Sequence, residues 1–367
     1  MKTLILLIIS VLIFACSAPK HGNGDKNLGI LLPEGFSISL FTEEVPNARG
    51  MALGDNGTLF VGSKSEGKIY AVVDSNHDYN ADHIYTIVSG ALQPVGVAFY
   101  GGSLYYSAVG SIFKLNDIEN NLASPPSPIL VTDIYPDDEH HGWKYIAFGP
   151  DGKLYVPVGA PCNICESADS IYATITRINP DGTGLEIVAH GVRNSVGFDW
   201  HPITGDLWFT ENGRDWLSDD IPPCELNRLS QVGQHFGYPY CHGGTILDPE
   251  FGHGKNCDDY TAPVQNLGAH VAPLGMMFYT GTMFPAEYRN QILIAEHGSW
   301  NRSTKIGYRV TSVTLNGDSA IAYMDFANGW LNGDEVTGRP VDLLQLPDGS
   351  VLLSDDFGGK IYRISYK

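Results

Sequence analysis

A short alternating unit recurs along the chain. In each copy, a segment of the form glycine–apolar–any–apolar, or a close variant of it, leads into a polar turn and then into a run of aliphatic and aromatic residues. The period-2 alternation and the tight turns predict two short antiparallel β-strands for each copy. Six copies align, and they begin at Arg49, Val95, His141, Arg193, Pro273 and Arg339.

A third strand is predicted after most copies, in segments such as "KIYAVV" (68–73), "SIFKLN" (111–116) and "KIYRIS" (360–365). Six such units predict an all-β fold, a six-bladed β-propeller of four-stranded antiparallel blades. "GFSISLF" (35–41) precedes the first unit and is expected to supply the outer strand of the last blade, which closes the ring. A β-sandwich, the competing architecture, would leave the sixfold repetition unexplained.

The N-terminus reads as an export signal rather than as part of the fold. Lys2 is followed by the apolar run "LILLIISVLIFA" and then by Cys16. This run is too short for a typical spanning helix, and a cysteine directly after it is typical of a lipoprotein signal. We therefore predict a signal peptide over residues 1–15, acylation of Cys16, a flexible tether over 16–30 and the propeller over 31–367. Signal cleavage without lipidation and an uncleaved membrane anchor are the alternatives.

This signal predicts an exported protein, a periplasmic or outer-membrane lipoprotein that meets the membrane only through its lipid anchor. Charge then excludes some partners. The chain has 41 acidic against 22 basic residues and a formal net charge of −19, which argues against nucleic acid or an anionic membrane surface. An exported protein can form disulfides. We expect the pairs Cys162–Cys165 and Cys241–Cys257, which leave Cys224 unpaired, although sequence alone does not fix the connectivity.

A propeller predicts where distant residues meet. In each blade, the loop that precedes the innermost strand (the leading loop) and the loop that joins the second and third strands (the second loop) lie on the same face. His141, Arg193, His270 and Arg339 fall in leading loops, and "GAPCNIC" (159–165), "ENGRD" (211–215), "EHGSWNRSTK" (296–305) and "DDFGG" (355–359) form second loops. All of these segments are expected at one mouth of the central channel.

Basic residues are concentrated in these loops although the chain is acidic. Guanidinium groups bind carboxylates in a bidentate manner, and a neutral imidazole such as that of His141 can accept a proton near neutral pH. Turns such as "ENGRD" offer hard oxygen ligands that suit Ca²⁺. The pattern predicts a pocket for a ligand with several carboxylates, a hard cation and a histidine base. The basic residues concerned are Arg193, Arg214, Arg302, Lys305 and Arg339.

Several long motifs resemble the glucose/sorbosone dehydrogenase family, and in particular its sorbosone and pyranose dehydrogenase branch. They are "HHGWKYIAFGPDGKLYVPVGAPCNIC", "GVRNSVGFDWHPITGDLWFTENGRD", "DDIPPCELN", "HFGYPYCHGG" and "EHGSWNRSTKIGYRV". The resemblance spans about residues 31–367. It implies a six-bladed propeller that holds pyrroloquinoline quinone (PQQ) and Ca²⁺ at the channel mouth.

The resemblance also implies roles for single residues. His141 matches the family's catalytic base, whereas His140 stands at a neighbouring position that is acidic in the family. Gly213 and Arg214 match positions whose backbone carbonyls ligate the cofactor calcium. A second family arginine, two residues after Arg339, is Val341 here, so the carboxylate clamp is rearranged. The residues expected to bind the cofactor are Arg193, Asn194, Asn212, His270 and Arg339, with Arg302 or Lys305 in place of a family lysine.

Two acidic segments are candidates for further calcium sites. Asp219, Asp220 and Glu225 of "DDIPPCELN" could bind a second cation or stabilise their loop. "DSNHDYNAD" (74–82) spaces Asp74, Asn76 and Asp78 like a calcium loop, but it lacks the glycine and glutamate that an EF-hand requires. The first segment is equally compatible with a solvated loop, and the second with an ordinary blade turn.

The predicted activity is PQQ- and Ca²⁺-dependent oxidation of a sugar. His141 is expected to accept the hydroxyl proton as a hydride passes to PQQ, and Ca²⁺ would act as a Lewis acid on the quinone. A membrane quinone or a cytochrome would then accept the electrons. The alternatives are a calcium-dependent sugar-lactone hydrolase, which would need acidic metal ligands at the channel, and a non-catalytic propeller that binds glycans or proteins.

Overall fold

Each predicted repeat forms one antiparallel sheet, and the six sheets build a six-bladed propeller in the computed structural model. From the innermost strand outward, blade 1 comprises Ala48–Leu53, Leu59–Ser63, Lys68–Val73 and His83–Ser89. Blade 2 comprises Val97–Tyr100, Ser103–Ala108, Ser111–Asn116 and Ile129–Thr132. Blade 3 comprises Ala147–Phe148, Leu154–Val158, Thr174–Ile178 and Glu186–His190, with Gln234–His235 added in parallel at its edge.

The remaining blades follow the same order. Blade 4 comprises Phe198–Trp200, Leu207–Glu211, Glu225–Leu229 and Gln265–Asn266. Blade 5 comprises Pro273–Phe278, Ile292–Glu296, Arg309–Asn316 and Ser319–Ala327. Blade 6 comprises Pro340–Gln345, Val351–Asp355, Lys360–Tyr366 and, as its outer strand, Phe36–Thr42. The prediction that the N-terminal segment closes the ring is therefore confirmed.

The structure describes residues 21–22 and 28–367. The predicted signal peptide, Cys16 and most of the predicted tether lie outside these residues. Within the described ranges, no helix is long and apolar enough to cross a membrane. The smaller elements are the paired strands His21–Gly22 with Leu32–Pro33, Cys241–His242 with Ile246–Leu247 and Leu331–Asn332 with Glu335–Val336, and the 3-10 helices Ile118–Asn120, Cys257–Asp259 and Ala286–Tyr288.

The core lies between neighbouring blades. Phe60 and Ile69 of blade 1 pack with Val97 and Leu104 of blade 2, and comparable clusters join the other blades. Every residue of the second strand Leu154–Val158 is buried, because a sheet faces it on both sides. Strands of this kind read as continuous apolar runs rather than as alternating ones.

The predicted disulfides Cys162–Cys165 and Cys241–Cys257 are present, and Cys224 is a free, buried cysteine. Each bridge fastens a loop rather than a strand pair of a blade. The first bridge lies in the second loop of blade 3, and the second bridge closes the long excursion between the third and fourth strands of blade 4. Loops that leave the blades lack their ladder of hydrogen bonds, so a covalent link restricts their conformations.

Phe36 anchors the closing strand. Its ring lies 4.8 Å from that of Phe284 and 5.0 Å from that of Phe326, and the residue is only 5% exposed. We expect Phe36→Ala to lower the free energy of unfolding by about 3–5 kcal/mol, because the substitution leaves a cavity in an aromatic cluster. Phe357→Ala is the control, since Phe357 is 60% exposed. Urea unfolding of both variants tests this expectation, and similar small losses in both would contradict it.

Candidate active site

One cavity of about 300 Å³ lies where leading loops and second loops of several blades converge. Seven residues that the sequence singles out line it, drawn from leading loops of blades 3 to 6 and from the second loop of blade 4. The fold therefore gathers residues that are almost 200 positions apart in the chain. These residues are His141, Arg193, Asn194, Asn212, Gly213, His270 and Arg339.

His141 is held in a defined orientation. It adopts a positive φ of 52° at the start of its loop, and its Nδ1 lies 2.9 Å from the carbonyl oxygen of Ala160. A carbonyl can only accept a hydrogen bond, so Nδ1 bears the proton and Nε2 is the basic nitrogen. Burial lowers the pKa of His141 well below its usual value, and the nearby Arg193 and His140 lower it further. The imidazole is therefore neutral at pH 7 and can accept a proton.

Four cationic side chains share the cavity wall: Arg49, Lys64, Arg193 and Arg339. Two of them have carboxylate partners, because Arg49 lies 2.6 Å from Asp356 and Arg193 lies 3.3 Å from Asp215. Within the described part of the chain, Lys64 and Arg339 form no ion pair. The wall therefore has an excess of positive charge that favours an anionic ligand.

Lys64 packs against an aromatic ring of the wall. Its Nζ lies 3.4 Å from the ring centroid of Trp143, a cation–π contact. Burial lowers the pKa of Lys64 to about 8, and the charge of the nearby Arg49 adds to this effect. A carboxylate bound here would relieve the repulsion and favour the ammonium form.

Two polar atoms of the cavity wall have no hydrogen-bond partner in the described residues. These atoms are Arg49 Nε and Trp143 Nε1, and both are buried. Buried donors in folded proteins are normally satisfied, so two unsatisfied donors beside a cationic wall fit a ligand that brings acceptor oxygens. PQQ is a flat molecule with three carboxylate groups, and their oxygens can accept these hydrogen bonds.

A loop that contains a disulfide holds Arg193 in place. The backbone oxygen of Asn163 accepts a hydrogen bond from Arg193 Nε at 2.8 Å, and Asn163 Oδ1 accepts one from Arg193 Nη2 at 2.9 Å. Cys162 and Cys165 flank this asparagine and are bonded to each other. The guanidinium is therefore fixed from two directions, with Asp215 on its other side.

His297 and Asp356 form a hydrogen-bonded pair that contacts Arg49. His297 Nε2 lies 2.9 Å from Asp356 Oδ1, and Asp356 also pairs with Arg49. Burial lowers the pKa of His297 to about 4, although the contact with Asp356 acts in the opposite direction. The imidazole is thus neutral at pH 7, and Asp356 is the charged partner that orients Arg49.

In the turn over residues 212–215, Asn212, Gly213 and Asp215 line the cavity, whereas Arg214 does not. Arg214 Nη1 lies 2.6 Å from Asp248 Oδ2, which also lies 2.9 Å from His242 Nε2. Asn212 Nδ2 donates hydrogen bonds to the carbonyls of Asn194 and Pro273. The carbonyl oxygens of Asn212 and Asp215 accept hydrogen bonds from Arg193 and Asn163, so those of Gly213 and Arg214 remain the candidate calcium ligands that the family resemblance implies.

His270 lines the cavity from the leading loop of blade 5. Its Nε2 lies 2.7 Å from the carbonyl oxygen of Ser218, so Nε2 donates this hydrogen bond. Its Nδ1 lies 4.0 Å from Asp215. The imidazole therefore connects two parts of the loop that follows the second strand of blade 4.

Arg302 and Lys305 do not line the cavity, in contrast to the prediction. Arg302 Nη2 lies 2.9 Å from Asp220 Oδ1, and Arg302 Nε donates to the carbonyl of Asp219. Lys305 Nζ donates to the carbonyl of Asp334 at 2.6 Å. The second loop of blade 5 is long, and these side chains turn outward to fasten it to neighbouring loops.

Asp219, Asp220 and Glu225 do not form one calcium site. The two aspartates accept hydrogen bonds from Arg302 and Ser303 at the surface. Glu225 instead begins a buried strand, where it accepts a hydrogen bond from the Gly243 amide at 2.6 Å and another from Asn227 Nδ2. Strand pairing thus separates side chains that are close in sequence.

The loop 74–82 is a turn that is closed by its own side chains. Asp82 Oδ2 accepts from the amide of Ser75 at 2.7 Å, and Asp74 Oδ1 accepts from the amide of Asp78. Asn76 Oδ1 also accepts from the Asp78 amide. Among the described residues, no group of three or more histidine, cysteine or acidic side chains is arranged to hold a metal. The calcium interpretation of this segment gains no support.

Sequence reasoning missed several residues of the cavity. Arg49 precedes the first repeat just as Arg193 and Arg339 precede later ones, and Lys64 follows the second strand of the same blade. The position of a residue within the repeat, which predicted the other residues at the channel mouth, therefore also predicts Arg49 and Lys64 there. Asp215, His297 and Trp300 lie in second loops that the sequence did place at the channel mouth, but they were not named as site residues, and neither were Trp143 and Cys224.

Comparison with known proteins gives relatives along almost the whole chain. An uncharacterized protein of Borreliella burgdorferi is 35% identical over 92% of this chain and 90% of its own length. A pyrroloquinoline quinone-dependent sugar dehydrogenase of Hypocrea jecorina is 22% identical over 76% of this chain and 77% of its own length.

Solved structures share the fold. The Trichoderma reesei enzyme of carbohydrate-active family AA12 matches with a TM-score of 0.79 at 21% identity, over 93% of this chain and 98% of that one. The PQQ domain of pyranose dehydrogenase from Coprinopsis cinerea matches with a TM-score of 0.77 at 19% identity, over 92% and 97%. Residues 30–367 match the family described as TrAA12-like. This match confirms the family resemblance predicted from the sequence motifs, and the chain belongs to the TrAA12-like family.

Proposed function

We propose that this protein is a PQQ-dependent dehydrogenase that oxidises a sugar. The observation that carries the proposal is the cavity itself, where Arg49, Lys64, Arg193 and Arg339 share the wall with the neutral imidazole of His141. Relatives with the same fold include enzymes named as PQQ-dependent sugar or pyranose dehydrogenases, and this supports the same chemistry here.

The cationic residues would hold the cofactor. Lys64 and Arg339 have no carboxylate partner in the described chain. Arg339 Nε and Nη2 donate to the carbonyls of His297 and Gly298, which orients the guanidinium, so its Nη1 and Lys64 Nζ are available to the carboxylates of PQQ. The backbone oxygens of Gly213 and Arg214 would hold Ca²⁺, which prefers such ligands. Calcium is supported by a relative of the same fold, whose structure is described as a calcium structure. When bound, PQQ supplies the acceptor for a hydride.

His141 would act on the sugar as a general base. Its Nδ1 is committed to the Ala160 carbonyl, so Nε2 would accept the proton of the hydroxyl group that is being oxidised. The positive charge that develops on the ring would be stabilised by that same hydrogen bond. The electrons would then leave to an external acceptor, for which we propose a membrane quinone or a cytochrome.

The balance of charge on the wall disfavours hydrolysis of a sugar lactone at a calcium ion. Such a site would need several carboxylates on the cavity wall, but Asp215 is the one acidic residue among the described residues that line it, beside four cations. A non-catalytic binding propeller would have no need of a histidine whose free nitrogen is basic and buried.

Reconstitution tests the proposal. Purified protein, stripped of metal by a chelator, is incubated with PQQ alone, Ca²⁺ alone, or both, and a panel of aldoses and pyranoses is added with a redox dye. We expect sugar-dependent dye reduction that requires PQQ and is greatest with Ca²⁺. Saturable PQQ binding without dye reduction by any sugar would overturn the activity, and absence of PQQ binding would overturn the cofactor as well.

Asn163 is expected to position Arg193 toward the cofactor. Asn163→Ala removes one of the two side-chain acceptors of the guanidinium, the other being Asp215, and we expect PQQ affinity to fall about 10-fold, the effect of losing one hydrogen bond to a charged group. Asn163→Gln keeps a neutral amide oxygen and should retain more of the affinity. Asn120→Ala, on an exposed 3-10 helix, is the control. Equal PQQ affinities in all three variants, measured by titration, would refute the positioning role.

We also propose that the protein is exported and anchored by a lipid on Cys16, which would keep it near a membrane acceptor. The basis is the signal-like sequence before this cysteine. Mass spectrometry of protein from the membrane fraction is expected to find an acylated N-terminus at Cys16. Export of an unmodified chain, or identical fractionation of a Cys16→Ser variant, would count against the anchor.

A further inference from the structure

Two large aromatic side chains stand exposed beside the cavity. Trp216 is 68% exposed and Trp300 is 67% exposed, and their ring centroids are 5.3 Å apart at an interplanar angle of 85°. Trp300 lines the cavity, and Trp216 directly follows Asp215, which also lines it. The pair therefore forms an apolar patch at the mouth of the site.

Both indoles are presented by fastened loops. The Ser299 amide donates to the Ile306 carbonyl at 2.9 Å, and the Ile306 amide donates to Ser299 Oγ at 3.0 Å, which closes the loop that bears Trp300. Before Trp216, the Asp215 amide donates to Asn163 Oδ1 at 2.8 Å. Rings held on ordered backbone bind with little loss of conformational entropy.

The cationic wall cannot account for recognition of a sugar. A neutral sugar offers no charge to Lys64 or Arg339, and these groups are assigned to the cofactor. A cavity of about 300 Å³ lies at the lower end of the range for ligand sites, ~300–1,000 Å³, so a three-ring quinone would fill much of it. The sugar must then lie toward the mouth, where the tryptophans are.

We propose that Trp216 and Trp300 form an aromatic platform for a second pyranose unit, which would stack on the face of one indole and contact the perpendicular ring at its side, so that the preferred substrates are oligosaccharides of two or more units. The unit being oxidised would face His141, and its neighbour would lie against the indoles. The C–H groups on a pyranose face complement the electron-rich face of an aromatic ring. This inference rests on the proposed function, because it assigns the substrate class of the same site.

Matched variants test the platform. Trp216→Ala, Trp300→Ala and the double variant are compared with Ile203→Ala, which removes a 77% exposed apolar side chain from the loop between the first and second strands of blade 4, on the opposite face. With PQQ, Ca²⁺ and a small dye, kinetics are measured for a monosaccharide and for disaccharides of the same sugar. We expect the double variant to raise KM for disaccharides about 5–10-fold, consistent with the loss of aromatic stacking. Ile203→Ala should change the KM values, the kcat values and the PQQ affinity less than 2-fold, and the double variant should raise KM for the disaccharides more than KM for the monosaccharide.

Other outcomes overturn the inference. Equal effects on the monosaccharide and the disaccharides would mean that the tryptophans act within the reactive subsite or only structurally. Slower reduction of a cytochrome with unchanged sugar kinetics would identify the patch as a docking surface for the acceptor protein.

A calorimetric titration separates this inference from the proposed function. The same disaccharides are titrated into wild-type protein and into the double variant without any electron acceptor. Binding that is weakened in the double variant supports the platform even if no sugar is oxidised. Absence of disaccharide binding to the wild-type protein overturns it.

Discussion

Replacing His141 with glutamine is expected to lower kcat/KM for the sugar by about 10²–10⁴-fold, the usual contribution of a general base. Glutamine is similar in length and can still hydrogen-bond the Ala160 carbonyl, but it cannot accept a proton from a hydroxyl group. The PQQ affinity should change little, because the cofactor is assigned to the cationic residues. Stopped-flow dye reduction and PQQ titration of the same preparation measure both quantities.

The pH dependence of kcat/KM is a second test of His141 as the base. A base must be unprotonated, so activity falls as the pH drops through the pKa of His141. Burial and the neighbouring Arg193 lower that pKa, which keeps the base active at neutral pH and predicts an acid limb in the kcat/KM profile. The limb should disappear in His141→Gln and persist in His140→Gln, which alters only the exposed neighbour. If His141→Gln retained more than half of the wild-type kcat/KM, His141 would be excluded as the base.

Replacing the unpaired cations is expected to have the second largest effect. Lys64→Gln and Arg339→Gln each remove charge-assisted hydrogen bonds to a carboxylate of the cofactor, worth ~1.5–3 kcal/mol. We expect each variant to bind PQQ about 10–150-fold more weakly, with an effect that diminishes at high salt. Arg302→Gln is the matched control, because this arginine is paired with Asp220 outside the cavity.

Equilibrium titration of PQQ at fixed Ca²⁺ and ionic strength gives these affinities directly. Urea unfolding of each variant checks that the fold is intact. Wild-type affinity in both Lys64→Gln and Arg339→Gln, or an equal loss in Arg302→Gln, would show that the cavity does not recognise the cofactor through these charges.

The fold could be predicted because the same sequence pattern occurs six times along the chain. Each blade contributes the same strand, turn and strand pattern, and the closing strand Phe36–Thr42 is an alternating segment with no partner in its own repeat. The position of a residue within the repeat also predicted the face on which it lies. His141, Arg193 and Arg339 were found in this way, and they do share one cavity.

The errors arose where loops depart from the repeat. Arg302 and Lys305 lie in a long second loop whose path is set by contacts with Asp220 and Asp334, which no local pattern encodes. Glu225 is near Asp219 in sequence, but the start of a strand directs it into the interior. The positions of Arg49 and Lys64 could have been predicted from the repeat as well, because Arg49 occupies the position in its repeat that other cavity arginines occupy in theirs, and Lys64 lies in the second loop of blade 1.

A crystal structure of the protein soaked with PQQ and Ca²⁺ tests the central claim most directly. We predict planar density inside the cavity, with its carboxylates near Lys64 and Arg339, one edge facing His141 Nε2, and a cation at the Gly213 backbone. No density in the cavity at a saturating concentration of PQQ, or density bound elsewhere on the propeller, would contradict the account.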